Sequence, residues 1–356
     1  MLYAAERVPA ARELDGAWLA GVAPEFAGAT VAMAPVGTGQ LADTYRLSLS
    51  WPDNDDPRPA SLVCKLASQD AASRAIAAQW KLYEREVRFY RELAATARIT
   101  TPHCHAAGLA QDGSFFLLME DLGHCRPGNQ LAGLGPGQAE AALVQAARLH
   151  AAFWGKAESP DLAWLDTGRI AQAFYPAETF RAVWPGFRDR YTGLLPDAQM
   201  KVCDTLAEHY DGYERPPEIE RCIVHNDFRP DNMMFGAHGV FTLDWQSVAL
   251  GFNALDVAYL VGGGFEPARR REVEDQLLAI YHRELTAQGV VDYSAGQLRD
   301  DYRLFSFAGI VVAVCAAMLV KRTERGDRMF LTMLDRHVSH VCDADAVALL
   351  RARSTH

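Results

Sequence analysis

Two hydrophobic periods divide the chain. In "TYRLSLSW" (44–51), Tyr45, Leu47, Leu49 and Trp51 share one face and Arg46, Ser48 and Ser50 the other. That alternation predicts a strand with one buried face. "VAMAPV" (31–36) and "SLVCKL" (61–66) also read as strands, and "PDNDDPRPA" (52–60) as a Pro- and Asp-rich exposed loop. The period then changes. Ile76, Trp80, Tyr83, Val87, Tyr90 and Ala94 recur at spacings of three and four, the stripe of one long helix over 71–95. "SFFLLM" (114–119) has strand length, and "EDLG" (120–123) reads as a connector. Beyond about 136 helical patterns dominate, notably 138–153, 268–287 and 296–321. They are interrupted by the polar "IVHNDFRPDNMMF" (223–235) and a hairpin whose turn lies at Gly236 and Gly239. The expected class is α+β: a small strand-rich lobe over 1–119, a hinge over 120–123 and a larger helical lobe over 124–356.

Composition narrows the functions open to it. The 356 residues carry 35 Lys and Arg against 45 Asp and Glu, a net charge of −10. Nucleic-acid binding, which needs basic patches, is not expected. The seven cysteines at 64, 104, 125, 203, 222, 315 and 342 include no CxxC pair, so no disulfide framework is expected. The start has no basic region followed by an apolar core, so no signal peptide is expected. "LFSFAGIVVAVCAAMLV" (304–320) is uncharged for 17 residues but diluted by Ala, Gly and Ser, and reads as a buried core helix rather than a membrane span. A soluble cytoplasmic protein without a membrane partner is the expectation.

Four features carry chemistry. Gly37 and Gly39 lie between two strands, Lys65 follows on the next strand, and a carboxylate flanks the stripe of the following helix. His225, Asp227, Asn232 and Asp244 then fall within twenty residues of one another. Phosphoryl transfer uses such parts: a loop without side chains near the phosphates, a fixed cation, oxygen ligands for Mg²⁺ and a carboxylate that orients the acceptor hydroxyl. A hairpin between Asn232 and Asp244 would fold the chain back so that both could reach one metal. Periodicity leaves Glu84 and Glu86 equally placed as the helix carboxylate.

The ordered motifs resemble a known family. "HNDFRPDN", with His225, Asp227 and Asn232, is similar to the catalytic loop of the protein-kinase-like fold as used by aminoglycoside phosphotransferases and choline kinases. "LDW" matches the second metal-binding aspartate at Asp244, with Trp245-Gln246 in place of Phe-Gly. "LVCK" resembles the strand lysine, "GTGQLA" a glycine-rich loop with Ala42 at its third position, and "LLMEDLG" a hinge that binds adenine through its backbone. "YEREVRFYREL", "MEDL", "ARLHAAFW" and "LDVAYLVGGG" most resemble the ecdysteroid-kinase-like (choline/hydroxyalkyl kinase-like) branch. The likeness covers roughly 31–262.

The resemblance implies ATP and Mg²⁺ as cofactors, a two-lobed fold and a role for each position. Asp227 would orient or deprotonate the acceptor hydroxyl, and Arg229 would neutralise the transferring phosphoryl. Asn232 and Asp244 would hold the metal. Gly37, Gly39, Lys65, Glu86 and the backbone of Glu120 and Leu122 would bind the nucleotide, the family pattern selecting Glu86 over Glu84. His225 would brace the catalytic loop, and Asp256 would receive hydrogen bonds from it, unless it is only a helix N-cap. Each residue has a plainer reading: an Asp-rich turn, an exposed strand lysine, a solvated helix face. "HCH" (103–105) reads as structural, because no second Cys/His pair lies nearby. The aromatics Trp164, Phe174, Tyr175, Phe180, Trp184, Phe187 and Tyr191 form core or line an acceptor pocket. The expected function is ATP-dependent phosphorylation of a small-molecule hydroxyl. A catalytically silent nucleotide-binding scaffold of the same fold is the alternative, and an enzyme anchored in a membrane through 304–320 is a third reading.

Overall fold

The period-two segments pair as an antiparallel sheet. In the computed structural model, which describes residues 8–37, 41–52, 58–165, 175–237 and 239–354, the strands are β1 (Thr30–Pro35), β2 (Ala42–Ser50), β3 (Ser61–Ala67), β4 (Cys104–Leu109) and β5 (Phe115–Glu120). Their order is β1-β2-β3-β5-β4, with Tyr45 opposite Cys64 and Lys65 opposite Leu117. Tyr45, Leu47 and Leu49 point into the core while Ser48 and Ser50 are exposed, as their alternation requires. One helix, α1 (Gly16–Val22), is started by Asp15, whose side chain accepts from the Trp18 N–H. Its Leu19, together with Leu14 and Phe26, packs with Leu47, Leu62 and Leu118. These strands and helix belong to the first of two compact units, Met1–Ala95 with Thr101–Arg126 and Thr242–Gln246.

The single helix expected over 71–95 is broken. It comprises α2 (Ala71–Gln79), α3 (Leu82–Arg88) and a π-helical turn (Phe89–Leu93). Lys81 between α2 and α3 is left-handed, at φ 54°. Such a backbone costs a non-glycine residue roughly 1–2 kcal/mol. Burial of Leu82, Tyr83 and Val87 offsets that cost, whereas α2 is mostly exposed. The spacing of apolar residues runs through the break, so periodicity alone reads one helix.

The second unit is Thr96–Thr100, Pro127–Phe241 and Ser247–His356. It holds α4 (Pro136–Ala152), α5 (Ala177–Tyr191), α6 (Asp197–Glu208) and α7 (Tyr210–Glu214). After the polar stretch 223–235 come α8 (Asn253–Gly264), α9 (Pro267–Ala287), α10 (Ala295–Phe305), α11 (Ala308–Leu319), α12 (Glu324–Asp343) and α13 (Ala346–Ser354). Every residue of α8 is buried. The 296–321 pattern is two helices, with a turn at the buried Ser306, whose hydroxyl donates to the Arg303 carbonyl. The stretch Ala295–Leu319 is long and apolar enough to cross a membrane, but 78% of its apolar window is buried inside the protein. Phe180, Trp184, Phe187 and Tyr191 stack successively in the core of this unit, and Phe174 lies outside the described residues. The imidazole of His105 packs edge-on against Phe26 and lies 3.4 Å from Glu25. Among the described residues no cluster of three or more His, Cys, Asp or Glu could hold a metal.

Candidate active site

The strand lysine is held by two carboxylates. Lys65 Nζ lies 2.8 Å from Glu86 and 2.9 Å from Asp244 Oδ1, all within the first unit. Glu86 is 1% exposed, whereas Glu84, which periodicity placed equally well, is half-buried and 3.8 Å from Arg88. Burial disfavours the Lys65 charge, but Asp244 and Glu86 more than offset it and raise its pKa. Burial also pushes the Glu86 carboxyl up, against the opposing pull of Lys65. Asp244 stands in the left-handed region at φ 63°, and the next residue, Trp245, stacks on Phe89 at 3.7 Å. The buried indole therefore occupies its own slot beside the metal-ligand candidate.

At the expected hinge, the Glu120 N–H donates to the His103 carbonyl and the Leu122 carbonyl accepts from Cys125. Asp121 between them braces the segment. Its carboxylate accepts from Arg46 Nε at 2.6 Å, from Ser61 Oγ at 2.7 Å and from the Gly123 N–H at 2.9 Å. No periodicity marks Asp121. Gly37 is left-handed at φ 80°, where a Cβ would meet nothing among the described residues, and Gly39 lies outside them.

The catalytic-loop candidates converge in the second unit. Asp256, fully buried on α8, accepts the backbone N–H of His225 at 2.7 Å and of Asn226 at 2.9 Å. His150 Nε2 is 3.2 Å from the same carboxylate, and its Nδ1 is 2.8 Å from the Tyr281 hydroxyl. His150 is the histidine of "ARLHAAFW", so that motif and "LDVAYL" meet here. Asp256 is not the N-cap of α8, a position held by Phe252. His225 Nδ1 accepts the Asp227 N–H at 3.3 Å, and Asn226 is left-handed at φ 69°. The loop backbone is thus fixed from beneath.

Four donor contacts surround the Asp227 carboxylate and carbonyl. Arg229 Nε donates to Oδ1 at 2.9 Å and the Tyr259 hydroxyl to Oδ1 at 3.2 Å. Asn232 Nδ2 donates to Oδ2 and to the Asp227 carbonyl, each at 2.8 Å. Among the described residues both side-chain hydrogen bonds of Asn232 use Nδ2, which leaves Oδ1 as the atom suited to a cation. Arg229 also reaches Asp231 at 3.2 Å. Burial works against its charge, but Asp227, Tyr259 and Asp231 raise its pKa overall.

A lysine gripped by a helix glutamate, a mainly antiparallel sheet and an H-x-D-x-x-x-x-N loop pinned by a buried aspartate are the parts of a protein-kinase-like phosphotransferase. The profile of the phosphotransferase enzyme family (APH) matches residues 33–293, and the chain belongs to that family. The fold is shared by a choline kinase of Cryptosporidium parvum (10% identity, TM-score 0.60, 96% of this chain and 99% of that one). It is shared by an ethanolamine kinase of Plasmodium vivax (10%, TM-score 0.53, 91% and 83%) and by aminoglycoside 2′-phosphotransferase-IIIa, solved with GDP (13%, TM-score 0.51, 87% and 93%). No curated protein matches the chain.

Proposed function

We propose that this protein is an ATP-dependent kinase that phosphorylates a hydroxyl of a small molecule by direct in-line transfer. The observation that carries this is the retention of Lys65, Asp227 and Asp244, each hydrogen-bonded to groups that fix it. A silent scaffold of the fold would be free to lose any of them. Lys65, oriented by Glu86, binds the nucleotide phosphates, with the backbone of Gly37, Glu120 and Leu122 contributing. The acceptor oxygen bonds to the γ-phosphorus as the bond to the ADP oxygen breaks, and the acceptor proton passes to Asp227. Arg229 offsets charge at the transferring group.

Asn232 and Asp244 are the metal ligands in this reading. Two protein oxygens suit Mg²⁺, which keeps several waters and takes phosphate oxygens to complete its shell. When bound, it supplies positive charge that offsets the charge of the phosphates. The motif set supports membership of the ecdysteroid-kinase-like branch, and action in the cytoplasm is part of this proposal. The choline kinase, ethanolamine kinase and aminoglycoside phosphotransferase of the same fold support a small alcohol as the acceptor.

The test is ATP consumption by the purified protein with Mg²⁺ over aminoglycosides, choline-like alcohols, sterols, macrolides and hydroxyacyl thioesters. Consumption that depends on one acceptor class, and falls by a factor on the order of 10²–10⁴ in Asp227→Asn while Mg-ATP still binds, is the expected result. Binding of Mg-ATP with no transfer to any acceptor would favour the scaffold, and no binding would overturn the nucleotide reading.

A further inference from the structure

We infer that Tyr259 is a positioning residue: with Arg229 it occupies Asp227 Oδ1, and so reserves Oδ2 for the acceptor hydroxyl. The inference rests on the kinase reading above and adds the atom that receives the proton. A carboxylate oxygen offers about two lone-pair sites. Oδ1 has two donors, Arg229 Nε at 2.9 Å and the Tyr259 hydroxyl at 3.2 Å. Among the described residues Oδ2 has one, Asn232 Nδ2 at 2.8 Å. The remaining acceptor capacity is therefore on Oδ2.

Tyr259 is built to hold that bond. It is 1% exposed, and burial followed by the nearby Asp227 charge raises its pKa well above the ordinary phenol, so it stays a donor. It lies three residues after Asp256 on α8, hence on the same face. One helix thus anchors the loop twice, through its backbone by Asp256 and through the Asp227 side chain by Tyr259. The phenol ring stacks on His337 of α12, with centroids 5.6 Å apart. His337 in turn fills space that only glycine leaves: a Cβ at Gly262 or Gly263 would come within 2.7 or 2.8 Å of its ring. That gives the glycines after "LDVAYLV" a purpose: their bare backbone lets the histidine close on the tyrosine.

The experiment is a double-mutant cycle of Tyr259→Phe and Asp227→Asn on the full chain. Mg-ATP turnover is measured with water as acceptor, and then with the alcohol found in the panel. Removing one hydrogen bond to a charged group predicts a kcat loss of roughly tenfold in Tyr259→Phe. The KM for Mg-ATP should stay near wild type, and the melting temperature should fall by no more than the few degrees that one buried hydrogen bond supports. In the Asp227→Asn background the same change should cost nothing further. An equal loss in both backgrounds means a merely structural tyrosine and overturns the inference, as does full activity of Tyr259→Phe. Wild-type protein that turns over no ATP with any acceptor overturns the kinase reading itself, and the role of Tyr259 with it.

Discussion

Lys65 and Asp244 are 179 residues apart in the chain, yet the ammonium of one lies 2.9 Å from the carboxylate of the other. The segment Thr242–Gln246 thereby belongs with the sheet and α3 to the first compact unit. One cation serves two carboxylates, and the more deeply buried of them, Glu86, has most to lose.

Lys65→Met keeps most of the side-chain volume and removes the charge. It should destabilise the protein by about 3–5 kcal/mol, because Glu86 is then buried without its cation. Adding Glu86→Gln should recover much of that loss. Chemical denaturation of the single and double variants checks the order, and a double variant less stable than Lys65→Met would contradict it.

Asp256→Ala leaves the N–H groups of His225 and Asn226 without their acceptor. At about 1–3 kcal/mol for each buried group left unsatisfied, a loss of roughly 2–6 kcal/mol is expected. Asp256→Asn, which keeps one acceptor oxygen, should fall between. Urea unfolding measures both, and an alanine variant within about 0.5 kcal/mol of wild type would show that the loop is held by something else.

Asp301 supplies a pH dependence. Burial raises its pKa to about 6, the hydrogen bond from Tyr293 opposes the rise and the charge of Asp300 adds to it. Because the folded value lies above the ordinary one near 4, this carboxyl favours the fold while protonated. The contribution is complete below about pH 4 and lost as pH rises through 6. Asp301→Asn should therefore be more stable than wild type at pH 8 by about 1–2 kcal/mol and nearly equal to it at pH 4. Melting curves across that range decide it; a gap that widens toward acid has the wrong sign.

Gly309 lies within α11, where helix propensity favours alanine by about 1 kcal/mol. Its Cβ would stand 2.0 Å from the His337 ring, which is itself fully buried. Gly309→Ala should consequently destabilise, by about 1–3 kcal/mol. A raised melting temperature would mean that His337 can move aside at little cost.

Much of the candidate site was legible because its motifs are short and ordered. "HNDFRPDN", "LDW" and "LVCK" each carry their chemistry within a few residues, and the alternation in "TYRLSLSW" marks a buried strand face without reference to any partner. Glu86 is different. Spacing placed it and Glu84 alike on the helix, and the break at Lys81 helps decide which carboxylate is buried beside Lys65. The break itself leaves no mark in the spacing, since a left-handed lysine changes the direction of the backbone but not the order of apolar residues.

Asp121, His150 and Tyr259 were not legible as parts of a site. Each lies in a motif that carries the family resemblance but is given no role by it, and each acquires its role from donors or acceptors distant in the chain.

Local sequence determined what near neighbours can encode: strand and helix periods, the polar candidate loop, and residue types of the kind suited to phosphate and metal. Which carboxylate meets Lys65 and which aspartate pins the loop were expected from the family resemblance and not from local pattern, and tertiary structure alone decided which tyrosine reaches Asp227. Those choices depend on burial, where an unpaired charge or N–H is costly, and burial is a property of the packed chain rather than of any segment in it.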